Sequence, residues 1–202
     1  VEWPVRTWKV KEQIKLTIEA YKKVGLDWVQ FGQYGTQYPP KDFKPTIFPD
    51  GSWLDEWGRT FTIDPVTKQE FPLFRPKIKS IEEWEEKITP PDPNAEGRIE
   101  NIEYFIKLAT YEDMSPVGFV RHPWVIAHEI FGSTYTFTKI REAPQKFRRV
   151  VDRICDFNVE MIKIQCDLGV DFIIDCGDIV EANGPMMPPK YNKEFVYPQL
   201  KR

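Results

Sequence analysis

Asp175, Cys176 and Asp178 crowd one short stretch near the C-terminal end of the chain. Two carboxylates at the end of an apolar run could bind a cationic group, orient a metal-bound ligand or move a proton. The plainer reading of Asp175 is a carboxylate that caps a loop through backbone amides. A reactive thiolate needs a positive neighbour, and Cys176 is flanked by acids, so a packed thiol is expected there. His122 and His128 are the only histidines, six positions apart with Pro123 between them. Two ligands on one helix face stand three or four apart, so they do not read as a metal pair. His128 and Glu129 follow a strand candidate and could face a pocket, with hydrogen-bonded packing as the alternative for His128.

Other residues carry weaker signals. Asn183-Gly184-Pro185-Met186-Met187 could line a pocket with flexible thioethers suited to a flat apolar partner, or form a turn whose methionines pack on neighbouring loops. Trp53, Trp57 and Phe61 suit ligand stacking less well than a small satellite core under a long loop. Arg59 could hold a substrate carboxylate or a phosphate, but an ion pair with Asp55 or Glu56 is simpler. The three cysteines are widely spaced with no C-x-x-C pair. Cys155 and Cys166 are expected as buried small hydrophobes.

These side chains need elements to hold them. Ile14, Ile18, Tyr21 and Val24 recur at helical spacing over 12–24, and Gly25 suits the helix end. A strand follows over 27–31. Residues 32–76 are a loop-rich excursion with small hairpins around Gly51 and Gly58. Ser80 and Glu83 fit a capping box, opening a short helix that ends before Pro90. Asp92-Pro93 can start another, with Ile99, Ile102 and Ile106 as its stripe, running to about Ala109. A strand over 116–120 leads through Pro123 into a brief helix ending at Ile130. Phe147, Val150, Val151, Ile154, Met161, Ile164 and Leu168 mark one face of a long helix from Pro144 to Gly169. Residues 170–174 then read as a buried parallel strand.

This alternation favours an α/β fold. A closed barrel of alternating strands and helices has eight strands and runs to about 250 residues, and only about three strands are visible. The chain begins at Val1 and stops at Arg202 inside a helical segment, so both ends read as cut. The rest of the fold is expected from further sequence or another chain.

Composition narrows the function classes. With 41% hydrophobic and 14% aromatic residues among 202, residues 1–202 suit part of one globular domain. Lys plus Arg number 28 against 31 Asp plus Glu, without a basic stripe, which argues against nucleic acid as a partner. No apolar run approaches the roughly 20 residues of a membrane span, and no signal pattern opens the chain. No membrane partner and a cytoplasmic location are therefore expected.

Four segments carry a resemblance: Asp55-Glu56-Trp57-Gly58-Arg59; Ile78-Lys79-Ser80 with Pro91-Asp92-Pro93 and Gly97-Arg98; Gly118-Phe119 with Pro123-Trp124; and residues 169–200, with Gly184-Pro185, Pro189, Tyr191, Phe195 and Pro198. In order and spacing they resemble the methyltransferase-like branch of the uroporphyrinogen decarboxylase superfamily. The resemblance implies the N-terminal portion of a (β/α)8 TIM barrel, with chemistry at the C-terminal strand ends. True decarboxylases of this family carry an N-terminal arginine-rich segment, whereas this chain has only Arg6 before residue 59. Glu129 also stands where they place an active-site tyrosine.

The resemblance therefore implies a methyltransferase or O-demethylase component that passes a methyl group between a cobalamin-carrying protein and a small thiol or methoxy compound. It makes Asp175 and Asp178 the catalytic candidates, and His128, Glu129, Cys176, Asn183 and Met187 the substrate-binding ones. Cys176 falls near a substrate-contacting serine of the decarboxylases, which suits a pocket wall. It also implies a corrinoid protein partner, a possible homodimer, and a zinc ion bound through a His-x-Cys pair and a later Cys beyond Arg202. The alternatives are a uroporphyrinogen decarboxylase of porphyrin biosynthesis and a non-catalytic barrel subunit.

Overall fold

Apolar spacing dictates where the chain coils and where it extends. A computed structural model describes residues 10–31, 38–66, 70–73 and 75–202; Arg6 and parts of the excursion, 32–37, 67–69 and 74, lie outside them. Helix α1 (Val10–Lys23) turns Ile14 and Ile18 inward, and Gly25, at φ 79°, ends its last turn. Strand β1 (Trp28–Gln30) follows. The excursion is more regular than its Gly- and Pro-rich sequence suggests. Strands β2 (Thr46–Ile47), β3 (Trp53–Leu54), β4 (Thr60–Ile63) and β5 (Glu70–Pro72) form an antiparallel meander in the order β2-β3-β4-β5.

Helix α2 (Ile81–Lys87) begins at Ser80, whose hydroxyl accepts the Glu83 amide at 3.1 Å. Only half of the expected capping box forms, because the Glu83 carboxylate takes the Lys79 amide at 2.7 Å rather than that of Ser80. Helix α3 (Arg98–Tyr111) starts later than its sequence suggests. Asp92 caps a turn instead, accepting the Asn94 amide at 2.8 Å. Gly97 caps the helix in the left-handed region, with its own N–H donated to Glu100 at 2.7 Å. Burial of Arg98 fixes this boundary.

Strand β6 (Ser115–Arg121) leads into α4 (Pro123–Phe131), α5 (Ser133–Glu142) and the long α6 (Pro144–Leu168). Strand β7 (Phe172–Cys176) comes next, then the β8 (Val180–Glu181) and β9 (Gly184–Pro185) hairpin, α7 (Pro189–Phe195) and α8 (Tyr197–Leu200). Strand β7 begins two residues later than expected. The Val170 amide still closes the helix end on Gln165 O at 3.2 Å, and the Asp171 amide reaches Pro116 O at 3.0 Å. Nor is β7 buried as a central strand would be: Phe172 is 48% exposed.

The parallel sheet has the order β1-β6-β7. Among the described residues it is an open three-stranded α/β sheet, with β1 and β7 at its edges. Helix α6 joins two cores. Phe147, Val150, Val151 and Ile154 pack with α4, with Trp57 of the meander and with Trp84, whereas Met161 packs with α1, α3, β1 and β6. Two polar residues of α6 hold β6 by its backbone. The buried Gln165 amide accepts the Phe119 N–H at 3.0 Å, and Asn158 donates to Arg121 O at 2.7 Å. Cys155 is buried as expected, but Cys166 is exposed. Its neighbour Gln165 takes the inward position, which turns the next residue about 100° around the helix toward solvent. No helix among the described residues is long and apolar enough to cross a membrane.

Candidate functional site at the strand ends

Parallel pairing carries β6 and β7 to a common end. Val120 lies opposite Asp175 and Arg121 opposite Cys176, and the His122 amide closes the register on Cys176 O at 3.0 Å. His122 caps α4, its Nδ1 accepting the Trp124 amide at 3.1 Å. That bond assigns the proton of the neutral ring to Nε2. Nε2 is buried without a hydrogen-bond partner and stands 4.0 Å from Asp175 Oδ2. Burial pushes His122 down to about 4, against a smaller upward pull from the Val196 backbone. Burial also lifts the Asp175 carboxyl to about 6. Gly177 lets the chain leave beside the ring, since a Cβ there would stand 3.2 Å from His122 Cβ.

A second feature of the strand ends is a line of alternating charges. Arg121 grips Glu129 of α4 side-on, Nε to Oε1 at 3.1 Å and Nη2 to Oε1 at 2.5 Å. Its Nη2 also donates to Asp178 Oδ2 at 3.1 Å, and Nη1 stands 3.7 Å from the Cys176 sulfur. From behind, Arg59 Nη1 donates to Glu129 Oε2 at 2.9 Å and Nε to Asp55 Oδ2 at 2.7 Å. Asp55, Arg59, Glu129, Arg121 and Asp178 thus form one chain of ion pairs, buried except at Asp178. Burial pushes Glu129 up, but its two arginines outweigh that and hold it below the usual carboxylate range. Asp55 is raised, because burial dominates its pairing with Arg59. Burial raises the Cys176 thiol too, against a lowering pull from Arg121.

The Asp55-Glu56-Trp57-Gly58-Arg59 turn between β3 and β4 supplies the inner half of this chain. Asp55 Oδ1 accepts the Trp57 and Arg59 amides at 3.0 and 2.8 Å. Glu56 pairs with buried Arg98 at 2.6 Å, and burial lifts its carboxyl to about 7 against the pull of Arg98. The Trp57 carbonyl accepts Trp84 Nε1 at 2.8 Å. Gly58 turns at φ 80° where a Cβ would stand 3.0 Å from Ile88 Cγ1. Arg59 does pair with Asp55, and it reaches Glu129 as well. Of the aromatic trio, Trp53 and Phe61 stack at 6.0 Å, whereas Trp57 belongs to the main core and meets Phe157 edge-on at 5.4 Å.

The structure brings Cys176, Asp178 and Glu129 together around Arg121, with Glu129 occupied by two guanidinium groups, and sets Asp175 beside His122 instead. His128 is buried, pairs through Nε2 with Ser133 Oγ at 2.9 Å and stacks on Trp124 at 6.1 Å. Asn183 is exposed on the β8–β9 hairpin. Met187 is buried in the core against the helices, and Met186 packs beside it. Arg121 and His122 were not singled out as binding groups by sequence. Their signal was positional, an arginine and a histidine between an apolar strand and Pro123. Among the described residues no group of three or more His, Cys, Asp or Glu could hold a metal ion.

Comparison with known proteins agrees with this architecture. A solved structure of a methyltransferase from Methanosarcina mazei matches 98% of this chain with a TM-score of 0.69 at 17% sequence identity. The chain spans 54% of that protein's length, and at this identity the likeness is one of fold. No curated protein matches the chain by sequence. The sequence model of the uroporphyrinogen decarboxylase (URO-D) family matches residues 57–202, from the Trp57 turn through both strand ends to the last helix, and the chain belongs to that family.

Proposed function

We propose that the chain is the N-terminal part of a (β/α)8-barrel enzyme that moves a methyl group between a corrinoid protein and a small thiol or methoxy compound. The observation that carries this reading is the state of Glu129. It stands where the resemblance places the decarboxylase tyrosine, yet both its oxygens are taken by Arg59 and Arg121. A buried, doubly paired carboxylate is a poor substitute for a phenol that must meet a substrate. The fold shared with a methanogen methyltransferase supports the same direction.

When a methyl–heteroatom bond breaks in such a transfer, its electron pair stays on the heteroatom, which then takes a proton. Asp175 suits that task, with a carboxyl that keeps its proton to about pH 6 at a strand end, where barrel enzymes place their chemistry. His122 stays neutral beside it. The zinc ion that the resemblance implies has no ligand set among the described residues. The test is spectroscopic. The full-length protein, mixed with cob(I)alamin and a panel of methoxyarenes and methyl thioethers, should produce the absorption of methylcobalamin. No change with any compound, together with carboxyl loss from uroporphyrinogen, would overturn the reading.

A further inference from the structure

We propose that the cleft between the 76–79 segment and the α4–α5 elbow is a binding site for a small ligand that joins an anionic group to a flat apolar body. Its volume, about 650 Å³, falls in the range of small-molecule sites. The 76–79 segment lines one side, and the elbow with the next turn of α5 lines the other. None of the strand-end residues takes part. Ile78 and Phe131, both buried in the main core, make the apolar floor. Tyr135 extends it. Its ring lies 5.3 Å from that of Phe131, and its hydroxyl accepts the Ile81 amide at 3.0 Å, which fixes the ring where α2 meets α5. A wall held in place by the core loses little order when a ligand settles on it.

Charge selects the other half of the ligand. Each side of the cleft supplies one lysine, and no acid lines it. Lys79 Nζ donates to the neutral Pro76 carbonyl, and among the described residues its charge has no acid partner. Lys139 stands 5.5 Å from the centre of the Tyr135 ring and pairs with Glu142 at 3.0 Å. That pair is open to solvent, where such pairs are weak and exchangeable. The acids nearest by, Glu82 and Glu83, are taken by Lys146 and Lys87. With Glu142 set against Lys139, the cleft keeps one positive charge beside an apolar floor, and the hydroxyls of Thr134 and Thr138 add donors at its lining. An anionic group on a flat apolar body answers both features at once. Neither the ligand class nor its test depends on the methyl-transfer reading.

Phenyl phosphate is the probe, titrated calorimetrically into the full-length protein, with inorganic phosphate and benzyl alcohol as its two halves. Each half should bind more weakly than the whole, the bare anion by roughly ten-fold for want of the buried ring. Lys79→Gln should weaken phenyl phosphate about three- to five-fold, as expected for an exposed charge pair, and leave benzyl alcohol unmoved. Glu142→Gln releases Lys139 and should strengthen phenyl phosphate by a similar factor. Thr134→Trp places an indole in the cleft and should exclude the probe. All three replaced side chains are exposed, so the fold is not at stake. Phenyl phosphate that does not bind, that binds no more tightly than inorganic phosphate, or whose affinity is unchanged in any of the three variants overturns the proposal.

Discussion

Asp175 and Glu129 show how position in one site sets opposite electrostatic behaviour. Asp175 has ordinary acidity when unfolded, with a pKa near 3.8, and is lifted to about 6 by burial. A folded state that holds its proton more tightly keeps that contribution fully below 3.8 and loses it as pH rises through 6. Asp175→Asn should accordingly raise the melting temperature at pH 7.5 and change it much less at pH 4.5, which thermal denaturation at the two pH values would check. Glu129 is held ionised between two arginines, so Glu129→Gln leaves buried positive charge uncompensated. A loss of about 3–5 kcal/mol in urea unfolding is expected. The Arg59–Asp55 pair was legible in sequence because its members are four positions apart. The links from Arg59 to Glu129, 70 positions on, and from Arg121 to Asp178, 57 positions on, were not, because only tertiary packing brings them together. The same limit hid Arg121, whereas Asp175 and Asp178 stood out by closing an apolar run.

Among the elements, α6 was the most legible. Its apolar stripe keeps a helical period from Phe147 to Leu168, and Pro144 and Gly169 bound it on both sides. Helix α5 was missed because Ser133-Thr134-Tyr135-Thr136-Phe137-Thr138 alternates hydroxyl and aromatic residues and presents no helical stripe. Its inward positions are Thr136 and Ile140. The start of α3 was placed too early because Asp92-Pro93 has the chemistry of a cap, while the buried Arg98 that fixes the real start carries no local signal. Packing of α6 on β6 is close at Gly118, where an added Cβ would lie 2.3 Å from Ile173 Cδ1 and 3.1 Å from Gln165 Oε1. Gly118→Ala should cost about 1–3 kcal/mol. Ile173→Val, which removes the Cδ1 atom, should recover part of that loss in the double variant, and a double-mutant cycle by chemical denaturation measures the coupling.

For the whole molecule, the alternation of elements was enough to give an α/β chain of about three strands. The order β1-β6-β7 and the meander's own sheet depend on pairings that periodicity does not specify. Strand β7 presents its outer edge and the ring of Phe172 to solvent, the arrangement that templates unwanted strand pairing. The 202-residue chain expressed alone should self-associate, and Phe172→Lys should reduce that association in sedimentation velocity. The meander has a different relation to the rest of the molecule. Its turn supplies Glu56 to buried Arg98 and Arg59 to buried Glu129, so each side of the junction carries the other's counter-charges. A protein engineer could not trim this excursion to a short loop, or transplant it onto another barrel, as an inert decoration. Excision would strand the cation of Arg98 in the interior and leave Glu129 with Arg121 alone, and a recipient would need both Arg98 and Glu129 in place before the graft could be tolerated.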